Sequence, residues 1–244
     1  MSEEPAHRPL TKHRREATDG EKILDAVMAS LFILSIAWAL FLMDEYLGFH
    51  LWPNGIHPRT IEGLRGIFTM HFLHADWTHL INNTLSFFVL NSFLFYFYRR
   101  LSLQVFAWLF VLPGLVLWII GRPANHIGAS MLVYGLFGFL LLSGLVRKNP
   151  QARRVALVVA LYYGSMVWYV FPIETGISWE GHLSGLTVGA VLALVYRRKG
   201  PPEPVYRFET EPDPDDSDPY WMPGYTGRVE RDSQPPEGPA KFGA

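Results

Sequence analysis

The chain has 244 residues, of which 50% are hydrophobic, 15% aromatic and only 18% charged, against about 25% charged in an ordinary soluble domain. It contains no cysteine, which excludes disulfides, thiolate nucleophiles and cysteine-ligated metal centres. The net charge of −1 hides a segregation of charges into the ends and short patches, the pattern of a chain that crosses a bilayer repeatedly and not of a nucleic-acid binder.

Residues 1–22 mix acidic and basic side chains without an apolar core, so they read as a cytoplasmic N-terminal segment and not as a secretory signal. Six apolar segments follow, at about 23–43, 78–98, 102–120, 129–146, 155–171 and 182–196, each near the length that crosses a hydrocarbon core. The last five contain no Asp, Glu, Lys or Arg. Pro113-Gly114 falls inside the third segment and is expected to kink it. The long connection at about 45–77 mixes aromatics with turn residues and is expected to lie in the outer interface between helices 1 and 2.

Basic residues set the orientation. Arg8, Lys12, Arg14, Arg15 and Lys22 precede the first segment, Arg99 and Arg100 follow the second, Arg147, Lys148, Arg153 and Arg154 separate the fourth and fifth, and Arg197, Arg198 and Lys199 follow the sixth. All these clusters fall on one side if the amino terminus is cytoplasmic, as the positive-inside rule requires. From Gly200 onward the chain holds ten of its 18 prolines and the acidic stretch "EPDPDDSDP", the composition of a disordered cytoplasmic tail. Tyr220, Trp221 and Tyr225 offer an alternative there, a short motif for an unidentified partner. The expected organisation is an N-terminal segment 1–22, a six-helix membrane domain 23–199 and a tail 200–244, in an all-α polytopic membrane protein.

On this topology the polar residues of the apolar segments converge. Ser130 opens the fourth segment, His182 the sixth, and His74, His79 and Asn83 stand before and within the first turns of the second. All three segments begin on the outer side, so these residues share one depth. Serine with histidine is the minimal kit for nucleophilic acyl transfer: the imidazole takes the hydroxyl proton as attack begins. His79 and Asn83 are four residues apart and present on one helix face, where, with the Ser130 N–H, they would hold an oxyanion. Tyr134, one turn after Ser130, would stack beside His182. Gly181, Gly185 and Gly189 form a small-residue stripe on the sixth segment, and Gly135 and Gly138 lie on the fourth; such small residues would let these helices approach closely. With no acidic residue in these segments, a Ser–His dyad is expected and not a triad.

The simpler alternatives are that Ser130 caps a helix, that His182 bonds a loop carbonyl, and that the glycines only pack. His71, His74 and His79 invite a metal reading, but one cluster without an acidic partner offers too few ligands, so no metal or other cofactor is expected.

Together the motifs resemble the rhomboid family of intramembrane serine proteases, over about residues 60–197. "LRGIFTMHFLHADWTHLINN" resembles the family's W-R segment and its H-x4-H-x3-N motif, with Arg65, His74, His79 and Asn83 in those places. "GASMLVYG" resembles the nucleophile motif G-x-S-G, with Gly128 and Ser130, and Tyr134 where the histidine-stacking tyrosine falls. "GHLSGLTVG" resembles A-H-x-x-G-x-x-x-G, with His182, Gly185 and Gly189. The sequence departs from the pattern at Leu64, Gly181 and Met131; Met131 takes the place of the glycine after the nucleophile, where its side chain would crowd the substrate site or alter the oxyanion pocket.

The resemblance implies a six-helix bundle in a bacterial inner membrane and cleavage of transmembrane protein substrates within the lipid bilayer, with the active site opening to the outer face. The competing expectations are an inactive rhomboid-like protein that binds transmembrane clients, favoured by Met131, and a small transporter or scaffold, which would carry paired charges at the bilayer midplane.

Overall fold

Thr18 and Glu21 begin the first helix with a reciprocal capping box, each satisfying a backbone N–H that the first turn leaves free. The computed structural model describes residues 17–199; most of the N-terminal segment and the whole tail from Gly200, with Tyr220, Trp221 and Tyr225, lie outside the described residues. Within them the chain is helical: α1 (Asp19–Leu47), α2 (Gly66–Thr69), α3 (Trp77–Phe97), α4 (Arg99–Ile120), α5 (Ser130–Val146), α6 (Pro150–Tyr163) and α7 (Trp179–Val195). Three of these, α1, α3 and α4, are long and apolar enough to cross a membrane, and α5 and α7 are apolar helices of 17 residues. Their outward faces carry bare apolar side chains such as Phe32, Leu85, Leu103, Leu145 and Val195, a surface suited to lipid and not to water.

Every apolar segment is helical, but the helices outrun the apolar cores. Caps lie beyond the hydrophobic run, so α4 takes in Arg99 and Arg100, α6 takes in Arg153 and Arg154, and α7 takes in Glu180. The expectation of charge-free segments therefore does not extend to whole helices. The fifth segment is divided: α6 ends at Tyr163 and a tighter 3₁₀ turn continues over Gly164–Val170. Helix α4 runs on through Pro113. Beside it, a methyl placed on Gly114 would lie 3.0 Å from Ile67 Cγ2 and 3.4 Å from Ile56 Cδ1, so the 45–77 connection packs directly on this stretch of helix. Ile56, Ile67, Met70, Leu117 and Met131 form the apolar cluster beneath that connection.

Helices α5 and α7 decide the arrangement. A methyl on Gly185 would lie 2.1 Å from the Met131 carbonyl oxygen, one on Gly189 2.1 Å from the Gly135 oxygen, and one on Gly138 2.6 Å from the Leu186 oxygen. Only glycine admits backbones this close. From Met131–Gly185 to Gly135–Gly189 the contacts advance together along both chains, so the helices run parallel. At the far end Arg147, 7% exposed, donates to the carbonyls of Tyr196 (2.8 Å) and Lys199 (2.6 Å) and covers the Tyr98 ring. A cation there answers the negative end of α7 and satisfies the carbonyl of its cap residue, Tyr196. Gly181, the first member of the predicted stripe, faces Ser178 and Leu117 instead.

Candidate active site

The parallel register brings the first residue of α5 beside the first turn of α7. Ser130 is the first helical residue of α5; the cap position belongs to Ala129, with no side-chain bond. The Ser130 hydroxyl is therefore not spent on capping, and its Oγ lies 3.0 Å from His182 Nε2. The other ring nitrogen, Nδ1, is 2.9 Å from the carbonyl oxygen of Tyr169 in the 3₁₀ turn. A carbonyl only accepts, so neutral His182 carries its proton on Nδ1 and presents a lone pair at Nε2 to the serine O–H. His182 thus contacts both a backbone carbonyl and the Ser130 hydroxyl. The Tyr134 ring lies flat on the imidazole, with centroids 4.1 Å apart and planes 9° apart, and its hydroxyl donates to the Met166 carbonyl at 2.8 Å.

On the other side of Ser130 stands the start of α3, capped by Asp76, whose carboxylate accepts the His79 N–H at 2.8 Å. Gly128 adopts φ +110°, and a methyl on it would lie 2.5 Å from His79 Nε2 and 3.5 Å from Asn83 Nδ2. Conformation and space both require glycine at 128. The Asn83 amide nitrogen is buried without a hydrogen-bond partner, a donor that in a packed interior is expected to meet an acceptor. His74 packs edge-on to His79, with ring centroids 5.0 Å apart, and its Nε2 receives the Ala129 N–H at 3.5 Å.

Ser130, His182, Tyr134, Gly128, His79, Asn83 and His74 are thus drawn together, while Gly185 and Gly189 seat the two helices. Two residues fall elsewhere. Arg65 is exposed and serves its loop through its carbonyl, which accepts from Phe68 and Thr69. His71 leaves the histidine cluster, its Nε2 bonded to the Phe110 carbonyl at 2.8 Å. The Met131 side chain, 1% exposed, packs in the apolar cluster under the 45–77 connection. A residue one step along a helix from Ser130 points about 100° away.

Sequence reading missed Tyr169 and Met166, which act through carbonyls that any residue carries. It also missed the ties between the α4–α5 connection and the start of α7. Arg122 Nη1 pairs with Glu180 at 3.0 Å, Arg122 Nη2 donates to the Ile177 carbonyl at 2.7 Å, and His126 Nδ1 lies 2.7 Å from Ser178 Oγ. The capping signature of Ser178, three residues before Gly181, was the available signal.

Burial lowers the His71 imidazole to about 4; burial, then the neighbouring His79, lowers His74 to about 4. In the unfolded chain each returns to the ordinary value near 6.5. As pH falls below about 6.5, the unfolded chain takes up these protons first. This contribution to stability is therefore complete above pH 6.5 and declines toward pH 4, by on the order of 1 kcal/mol per pH unit for each ring. Thermal unfolding in detergent should show the melting temperature dropping by several degrees between pH 7.5 and 5, and less in His71→Gln. A flat profile would contradict the neutral buried rings.

The family profile of the Rhomboid domain matches residues 62–199, the stretch that contains every one of these side chains. An uncharacterized protein of Mycobacterium tuberculosis is 34% identical over 204 residues, covering 77% of this chain and 83% of its own. One of Mycobacterium leprae is 32% identical over 175 residues, covering 68% and 69%. A Bacillus subtilis protein with the name "Putative rhomboid protease YdcA" is 25% identical over 187 residues, covering 73% and 92%. With helices of spanning length and apolar outer faces, this is an integral membrane protein, and the chain belongs to the rhomboid family.

Proposed function

We propose that this protein is an intramembrane serine endopeptidase that hydrolyses peptide bonds in or near transmembrane segments. The observation that carries the reading is the 3.0 Å contact of Ser130 Oγ with His182 Nε2, on a ring whose other nitrogen is committed to the Tyr169 carbonyl. As Oγ attacks the scissile carbonyl carbon, its proton passes to Nε2 and the carbonyl oxygen becomes an anion. The Asn83 amide, the His79 ring and the Ser130 N–H are the donors for that anion. Tyr169 accepts from Nδ1–H throughout, holding the imidazolium as a triad carboxylate would, though without a full charge. The proton on Nε2 then goes to the leaving amine as the C–N bond breaks, leaving an acyl ester on Ser130. Water, deprotonated by His182, attacks the ester and restores the serine.

In this reading the six spans are α1, α3, α4, α5, α7, and α6 with the 3₁₀ turn that prolongs it. The 45–77 connection lies in the outer interface, and the membrane domain is residues 23–199. Residues 1–22 and the tail 200–244 are cytoplasmic, in a bacterial-type inner membrane, and the dyad opens to the outer face. The competing reading is an inactive client binder, which the replacement at Met131 favours and the Ser130–His182 contact disfavours.

The test is cleavage of a single-span substrate library reconstituted with the protein in liposomes, the cut sites mapped by mass spectrometry. Cuts inside or beside the spans support the reading, and intact substrates throughout would overturn it. In the same assay Asn83→Ala should lose about a hundredfold in turnover with little change in melting temperature, the expected cost of one oxyanion donor. Turnover within threefold of wild type would remove Asn83 from the role.

A further inference from the structure

His126 stands four residues before the candidate nucleophile and is 2% exposed, yet it takes no part in the chemistry proposed above. Its backbone forms a two-way bridge with Ile56: Ile56 N–H donates to the His126 carbonyl and His126 N–H to the Ile56 carbonyl, each at 2.9 Å. The bridge is crowded, since a methyl on the adjacent Gly55 would lie 2.5 Å from the His126 oxygen. The ring faces the other way. Nε2 is 3.1 Å from the Arg122 carbonyl and Nδ1 is 2.7 Å from Ser178 Oγ.

Donor and acceptor roles follow from these partners. The Arg122 carbonyl only accepts, so the neutral ring carries its proton on Nε2 and Nδ1 is the acceptor. Burial favours that neutral form. Ser178 O–H therefore donates to Nδ1, and the same oxygen accepts the Gly181 N–H at 3.2 Å as the cap of α7. The chain runs Gly181 N–H to Ser178 O–H to His126 to Arg122, with every polar atom partnered. Gly181 precedes His182, and His126 precedes Ser130 by the short connection through Gly128. Alongside, Glu180, 4% exposed, takes the Arg122 guanidinium and also the Arg122 N–H at 3.3 Å.

We infer that His126 and Ser178 form a positioning pair that joins the 45–77 connection, the strand of chain leading to Ser130 and the cap of the helix bearing His182, and so sets the Ser130–His182 register at the outer end of α5 and α7. The glycine contacts fix how closely the two helices approach, and Arg147 fixes their far ends. A reacting pair that must hold about 3 Å needs a tie at its own end as well, because small misplacements there cost large factors in rate.

The inference uses the dyad reading for its kinetic readout but not for its geometry, so two measurements are needed. The first is the rate of fluorophosphonate labelling per folded molecule of the full-length protein in detergent. His126→Ala and Ser178→Ala should each slow labelling by about tenfold to a hundredfold. The double variant should be no slower than the worse single, because the two act as a unit. His126→Asn, whose amide oxygen can still accept from Ser178, should recover most of the rate. Unchanged rates with only a lower melting temperature, or fully multiplicative losses, would overturn the positioning role.

The second is the ¹⁵N NMR signal of His182 Nε2, which reads its hydrogen bond whether or not the protein labels. His126→Ala should move that signal toward its position in Ser130→Ala, and an unmoved signal would overturn the inference. If wild type fails to label while the Nε2 signal responds as expected, the endopeptidase reading fails and the positioning pair stands.

Discussion

Ser130→Ala is expected to abolish cleavage of reconstituted substrates, by more than about a thousandfold, while leaving the protein folded. Removing a nucleophile that acts as a unit with its base forfeits nearly the whole covalent pathway. The stability effect is small because the Ser130 hydroxyl does not cap α5 and bonds to His182. Losing one hydrogen bond costs about 1 kcal/mol, a shift of about 2–4 °C in a domain of this size. Cleavage assays and thermal unfolding on the same preparation check both halves. Retained cleavage, or a collapse of the fold, would each be at odds with a dedicated nucleophile.

Gly189→Val should do the reverse, damaging the fold first and activity through it. A methyl at 189 would lie 2.1 Å from the Gly135 carbonyl oxygen and 2.9 Å from Phe139 N. Both are backbone atoms in mid-helix, unable to swing aside as a side chain would. Overpacking in a close-packed interior costs about 1–3 kcal/mol where side chains can adjust, and here α5 and α7 must separate. The melting temperature should fall by about 5 °C or more, with loss of labelling at Ser130 even in the folded fraction. Gly164→Ala is the control, because nothing lies within 4 Å of a methyl there. Equal behaviour of the two variants would refute the close α5–α7 approach.

The legible parts of this molecule are those that hydrophobicity and side-chain chemistry write directly. Segment 129–146 became α5 almost to the residue, because its polar start and Arg147 mark both ends. Ser130 lies against His182 and Tyr134 stacks on its ring, contacts between residue types that the sequence motifs already set side by side. What stayed hidden depended on backbone. The Tyr169 carbonyl reaches His182 only because the fifth apolar segment tightens into a 3₁₀ turn, which no periodicity in "GSMVWYV" announces. Glu180 lies just before the apolar run 182–196, yet α7 begins at Trp179 and carries it into the fold against Arg122. The direction of Met131 was a question of helical phase around Ser130, and the sequence motif carries residue order but not which neighbour waits on each side.

Fluorophosphonate labelling of the purified protein, with the modified residue identified by peptide mass spectrometry, tests the central claim most directly. The account predicts one adduct, on Ser130, absent from both Ser130→Ala and His182→Ala. A folded wild-type protein that takes no label, or a label that persists in either variant, would contradict an activated Ser130–His182 dyad.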